Sequence, residues 1–260
     1  MSADLAVLRN NLEALERVLV AFSGGADSAF LAWVAHDTLG YESARCFTAV
    51  SPSIADSELE ECARLAQEWG LNWEPIKTSE MENAAYRVND SDRCYYCKSA
   101  LMDVAEPVAQ LHDCVVILGV NTDDLGDHRP GQSAAEERKA RFPLVEAKFS
   151  KADVRAHSQH LGLRTWDKPA AACLASRIPY GTEVSVSLLR KLDRAESALK
   201  ALGFEQLRVR DYGEVARLEF DLDQLSVALE RRIEIIEAVK AVGYQYVTLD
   251  LEGFRSGNLN

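Results

Sequence analysis

Val18–Val34, VLVAFSGGADSAFLAWV, is the stretch on which the reading of this chain turns. An apolar run, Val18 to Phe22, meets Ser23-Gly24-Gly25-Ala26-Asp27-Ser28, after which Phe30, Leu31 and Val34 recur at helical spacing. The pattern is strand, glycine-rich turn, helix. Such a turn aims backbone N–H groups and the positive end of a helix at one spot, where phosphate binds well. Gly24 and Gly25 allow the backbone to bend with positive φ and to approach a ligand closely. Capping of the helix by Asp27 and Ser28, with no ligand, is the plainer alternative and is compatible with the first.

Outward from this stretch the alternation continues. Leu5, Leu8, Leu12 and Leu15 mark a helix over 4–17, and 44–50 reads as a second strand. A helix over 56–69 and a strand over 72–76 follow. Cys114–Val120 is a buried strand leading into Asn121-Thr122-Asp123-Asp124. GDHRPG (126–131) reads as a loop and 134–140 as an exposed charged piece. Ser150 and Asp153 outline a near capping box for a helix that ends at Gly162. Strands alternating with helices predict an α/β fold with a doubly wound parallel sheet, its ligands at the carboxyl ends of the strands. Residues 165–181, rich in small side chains, read as a functional loop that closes a first domain (1–181). Helices over 187–202 and 222–242, with strands over 206–210, 215–220 and 246–251, predict a smaller α+β domain (182–260).

Composition narrows the function. The 260 residues are 47% hydrophobic and 27% charged, ordinary for a globular protein, and no apolar run nears the roughly 20 residues of a membrane span. The amphipathic N-terminus is unlike a signal peptide, so a cytoplasmic location is expected. A net charge of −12 argues against broad nucleic-acid binding.

Among the six cysteines, Cys46, Cys62 and Cys114 sit in apolar surroundings and read as core. Cys94 and Cys97 form a single CxxC, which suits a redox pair, part of a zinc site or part of an iron–sulfur site. Cys173 has Arg177 four residues on, which favours a thiolate. Three thiolates on a [4Fe–4S] cluster would leave one iron free for a sulfide or substrate, whereas Cys173 alone could be a nucleophile. Arg208 and Arg210 alternate on one strand and therefore share a face, as a phosphate monoester requires. The alternative is a pair of exposed strand arginines. Glu196, Glu219, Asp221 and Asp223 could supply hard oxygens to Mg²⁺ or simply form a solvated face.

SGGADS resembles the SGGxDS loop of the PP-loop pyrophosphatase superfamily, also called adenine nucleotide alpha hydrolase-like, rather than GxxxxGKS/T or GxGxxG. Taken with GVNTDDLGDHRPG, FPL, SKADVR and CLASRIPYG, it resembles the LarE family of ATP-dependent sulfur transferases. The resemblance implies that ATP binds at Ser23, Gly24, Gly25, Asp27 and Ser28, with Asp124 nearby, and that a carboxylate of pyridinium-3,5-biscarboxylic acid mononucleotide is adenylated. Sulfur then displaces AMP, a step toward the nickel-pincer cofactor of lactate racemase. Arg208 and Arg210 match the substrate-phosphate site, with Arg177 a further contact, and Glu196 and Glu219 fall near metal or substrate positions. The presence of Cys94, Cys97 and Cys173 implies the [4Fe–4S] type, the alternative being sacrifice of Cys173 to dehydroalanine. Mg²⁺, an outside sulfide source and a homo-oligomer are also implied. Competing functions are tRNA thiolation, an amide-forming synthetase, and a regulator that binds nucleotide without chemistry.

Overall fold

The computed structural model describes residues 3–126, 130–169 and 172–255. Its first elements are α1 (Leu5–Glu13), β1 (Val18–Ala21), α2 (Ala26–Leu39), β2 (Ala44–Val50), α3 (Asp56–Trp69) and β3 (Asn72–Lys77). Next come α4 (Ala84–Val88), α5 (Arg93–His112), β4 (Val115–Leu118), α6 (Pro130–Glu137), α7 (Pro143–Glu146) and α8 (Lys151–His160). The chain finishes with α9 (Val186–Ala201), β5 (Leu207–Tyr212), β6 (Val215–Phe220), α10 (Leu225–Glu230), α11 (Arg232–Ala241) and β7 (Tyr246–Leu249). They form two compact units. One holds Met1–Ser51, Ser57–Glu82 and Cys94–Ala171; the other holds Pro52–Asp56, Asn83–Arg93 and the chain from Ala172 onward. The sequence placed a single division after residue 181; the second unit begins earlier and also takes in two short upstream segments.

In the first unit all four strands are parallel, in the order β3-β2-β1-β4. Alternate side chains of β1 enter different cores. Val18 and Val20 join Leu8, Leu12, Phe30, Leu31 and Phe149 on one face, while Leu19 joins Phe47, Met102, Val116 and Leu118 on the other. Both faces are therefore covered, which is why β1 and β4 are apolar without interruption. The strand order reverses direction between β1 and β4. Ligands of open α/β sheets bind at this kind of switch point, beyond the carboxyl ends of the strands.

Several local expectations change. α1 stops at Glu13, and Glu16, at φ 59°, turns the chain into β1. The 134–140 piece is half core: Ala134, Ala135 and Ala140 are buried while Glu136 and Glu137 face solvent. Most of the expected 126–131 loop lies outside the described residues, and α6 already begins at Pro130. α8 does carry its capping box, Ser150 Oγ accepting from the Asp153 N–H and the Asp153 carboxylate accepting from the Ser150 N–H.

The second unit is built on a three-stranded sheet in the order β5-β6-β7, with β5 and β6 antiparallel and β6 and β7 parallel. The single helix expected over 222–242 is broken into a 3₁₀ turn, α10 and α11. Arg231 sits at the last break with ψ 20°. Its guanidinium reaches the Leu202 carbonyl at 2.5 Å and lies over the Phe204 ring, a tertiary engagement that helical periodicity cannot reveal.

Candidate active site

The turn after β1 is shaped by small residues and by one hydroxyl. Gly24 has φ 68°, and a Cβ there would stand 2.9 Å from Cys62 Sγ. Ser28 Oγ lies 3.0 Å from Ser23 Oγ and donates to the Gly25 carbonyl, drawing the turn closed. Gly25 is the N-cap of α2 and has no side chain to cap with. The first-turn N–H groups are thus left for an external anion, as a phosphate cradle needs.

The segment after β4 lies beside this turn. A Cβ on Gly119 would meet Ser28 N and Cα at 2.8 Å, so only glycine lets β4 pass this close to the start of α2. Asp124 is buried, accepts from the Asn121 N–H and pairs with Lys151 at 3.1 Å. Burial raises the Asp27 carboxyl above its ordinary range; the Asn121 amide opposes the rise and Asp124 adds to it. Asn121 is fully buried, and its side-chain amide faces the Asp27 carboxylate. Lys168 also belongs to this site: its Nζ donates to the Gly24 carbonyl at 3.1 Å and pairs with Glu58 at 2.8 Å. Asn121 heads the NTDD segment read from the sequence, whereas Lys168 does not stand out there; a glycine ending an apolar strand, as Gly119 does, is a readable hint of close backbone approach.

The cysteines divide as their surroundings predict, with one exception. Cys46 and Cys62 are buried, and burial pushes their thiols up to about 12 and about 11. Cys114, expected in the core, is only half-buried, one residue before β4, and its thiol donates to the His112 carbonyl at 3.4 Å. Cys94 is exposed and Cys97 partly so, both in the first turns of α5, where i,i+3 spacing puts them on one face. Gly131 lets α6 approach that turn, since a Cβ on it would lie 3.0 Å from the Cys94 carbonyl oxygen. Desolvation lowers the Lys98 ammonium, while the Cys97 and Cys94 sulfurs act against the shift. Cys173, in the second unit, is exposed at the head of the 3₁₀ turn Leu174–Arg177. Among the described residues no three His, Cys, Asp or Glu side chains stand already grouped as a metal site.

In the second unit Arg177, Glu196, Arg208, Arg210 and Glu219 come together, while Asp223, just beyond β6, is exposed. Arg177 engages Glu196 through two hydrogen bonds, at 2.9 and 3.0 Å, and also donates to the Ala172 and Cys173 carbonyls. Glu196 accepts in addition from the Val209 N–H. Arg210 donates to Glu219 and to the Ser176 carbonyl, both at 2.8 Å, and its buried Nε has no partner. Arg208 lies on the same face of β5, its guanidinium over the Phe254 ring. Burial, with Arg177 next in weight, pulls Arg208 down to about 10. The two strand arginines are therefore buried and not a solvated pair. Glu196 and Glu219, considered as Mg²⁺ ligands, instead have their oxygens engaged by Arg177, Arg210 and Arg217. A buried group of guanidiniums balanced by two carboxylates is a fit for a doubly charged phosphate.

A parallel sheet with an uncapped, glycine-built helix start at its switch point defines an α/β enzyme fold of the PP-loop kind. No family model matches the chain. It is 36% identical over 261 residues to the pyridinium-3,5-bisthiocarboxylic acid mononucleotide synthase of Lactiplantibacillus plantarum, covering 100% of this chain and 95% of that protein. It is 46% identical over 263 residues to an uncharacterized protein of Synechocystis sp., covering 100% and 98%. An uncharacterized protein of Methanocaldococcus jannaschii is 29% identical over 253 residues, covering 96% of each. The chain belongs to the LarE family, that of the Lactiplantibacillus synthase, and is an enzyme.

Proposed function

We propose that this enzyme is an ATP-dependent sulfur transferase that turns the carboxylates of pyridinium-3,5-biscarboxylic acid mononucleotide into thiocarboxylates. The observation that carries the reading is the full-length match to the Lactiplantibacillus synthase. The open turn at Ser23–Ser28 and the buried arginines of the second unit support it from the side of chemistry.

Backbone N–H groups of Ser23–Ser28 hold the β- and γ-phosphates of ATP. Arg208 and Arg210, with Arg177, hold the phosphate of the mononucleotide. A substrate carboxylate oxygen attacks the α-phosphorus, the bond to pyrophosphate breaks, and an acyl adenylate forms. Hydrosulfide then adds to the acyl carbon, AMP departs with the carboxylate oxygen, one proton is released, and a thiocarboxylate remains. Mg²⁺ bound with ATP would neutralise phosphate charge, and Asp27 and Asp124 are the carboxylates beside the turn that fit it. A [4Fe–4S] cluster on Cys94, Cys97 and Cys173 would supply sulfide at an iron without a protein ligand. The accessibility of these thiols, against the buried Cys46 and Cys62, supports that ligand set.

In this reading residues 182–260 bind substrate and build a homo-oligomer. Exposed Leu222, Leu229, Ile233 and Leu251 on the second unit support the latter. No helix among the described residues is long and apolar enough to cross a membrane, and work in the cytoplasm is part of the reading.

The test incubates anaerobically reconstituted protein with ATP, Mg²⁺, sulfide and the biscarboxylate mononucleotide. Pyrophosphate, AMP and a product with sulfur in place of oxygen are expected, over several turnovers and with about four irons per chain. One turnover, with Cys173 converted to dehydroalanine, would replace the cluster by the sacrificial route. Absence of substrate-dependent pyrophosphate release would overturn the proposal.

A further inference from the structure

Asn89 and Arg93 are buried at 0% and 4% exposure, and both place donors on one loop of the second unit. Asn89 caps α4 in the left-handed region, at φ 59° and ψ 55°. Its Nδ2 donates to the carbonyls of Ile178, Pro179 and Thr182 at 3.3, 2.9 and 3.0 Å. Its own carbonyl accepts from the Gly181 N–H at 2.9 Å. Arg93 donates to Asn89 Oδ1 and, at 2.9 Å, to the Ala175 carbonyl, with its guanidinium 5.9 Å from the Tyr180 ring centroid. The loop carrying Cys173 is thus fastened by a carboxamide and a guanidinium along 175–182. At its front, the Leu174 N–H donates to the Ser53 carbonyl at 2.8 Å.

The loop buries the side chains of Leu174, Ala175 and Ile178, and the backbone carbonyls carried in with them still need donors. Buried carbonyls must find donors, and a left-handed asparagine can offer its amide at an angle no helical residue reaches. Fastening the carbonyls from beneath fixes the backbone while leaving the Cys173 side chain exposed. The bond between the two buried side chains couples them, since removing one leaves the other's buried polar atom without that partner.

We propose that Asn89 and Arg93 are positioning residues that set the Cys173 loop for sulfur delivery, an inference that rests on the sulfur-transfer reading above. They act through the geometry of Cys173. Adenylation and sulfur delivery therefore respond differently to their loss.

The experiment compares wild type with Asn89→Gly and Arg93→Lys. Glycine keeps the left-handed backbone and removes the carboxamide; lysine keeps the charge and removes the planar fork. With ATP, Mg²⁺, sulfide and the biscarboxylate mononucleotide, thiolated product formed per pyrophosphate should fall about tenfold or more in each variant. KM for ATP should stay within about twofold, because the phosphate turn keeps its own contacts. Iodoacetamide capture of Cys173, read by peptide mass spectrometry on the protein alone, should change by roughly threefold or more. An unchanged product-to-pyrophosphate ratio, or loss of both in step with the folded fraction, overturns the proposal. If wild type itself releases no pyrophosphate, the sulfur-transfer reading fails; the alkylation rates then decide the loop's support separately, and equal rates in all three proteins sink it.

Discussion

Lys168 reaches the carbonyl of Gly24 at 3.1 Å, held in place by Glu58 at 2.8 Å. In a trans peptide the carbonyl and the following N–H point in opposite directions. Tying the Gly24 oxygen to Lys168 therefore aims the Gly25 N–H to the other side of the turn. A lysine from a distant loop thus sets part of the proposed phosphate cradle.

Lys168→Met should raise KM for ATP by about tenfold, the scale of one charged hydrogen bond. Stability should change by about 1 kcal/mol or less, because the ion pair with Glu58 is partly open to solvent. Isothermal titration with ATP and a thermal melt separate the two effects. Unchanged affinity would show that the turn holds its shape without the tether.

Asp27 gives a pH dependence with a definite sign. Its folded-state pKa is raised, first by burial. Its ionisation therefore opposes folding, and the stability it allows is fully present below the unfolded value near 3.8 and lost as pH rises through the folded one. Asp27→Asn removes that loss. Melts of the protein without nucleotide should show the variant more stable than wild type at pH 7, with the gap closing as pH approaches 4. A gap that is constant with pH would place the effect in packing and not in charge.

Gly119→Ala should be poorly tolerated. Its Cβ would fall 2.8 Å from Ser28 backbone atoms, which are not free to yield as the end of a side chain would be. A loss of about 1–3 kcal/mol is expected by urea unfolding, together with weakened ATP binding as the start of α2 is pushed away. Wild-type stability and affinity in this variant would mean that β4 and α2 can part at no cost.

The parallel sheet, the glycine turn between β1 and α2 and the capping box of α8 were legible in the sequence because each is written in neighbouring residues. Val18–Phe22 is apolar without a break, Gly24-Gly25 sits between strand and helix, and Ser150 and Asp153 are three residues apart. Cys94, Cys97, Cys173, Arg208 and Arg210 are candidates by type and spacing alone. Their environments were not legible there. Whether Arg208 and Arg210 are buried depends on what covers β5, and Glu196 becomes an arginine partner because α9 lays it against Arg177 and the Val209 N–H. Arg231 breaks a helix that periodicity would continue, because it reaches Leu202, 29 positions away. Asn89 and Arg93, silent in sequence, acquire a role through carbonyls some 82 to 93 positions downstream. Local pattern encodes the dihedral and amphipathic preferences of a segment. Burial, hydrogen-bond partners and the proton affinity of a side chain are set by groups distant in the chain, and so only the tertiary structure decides them.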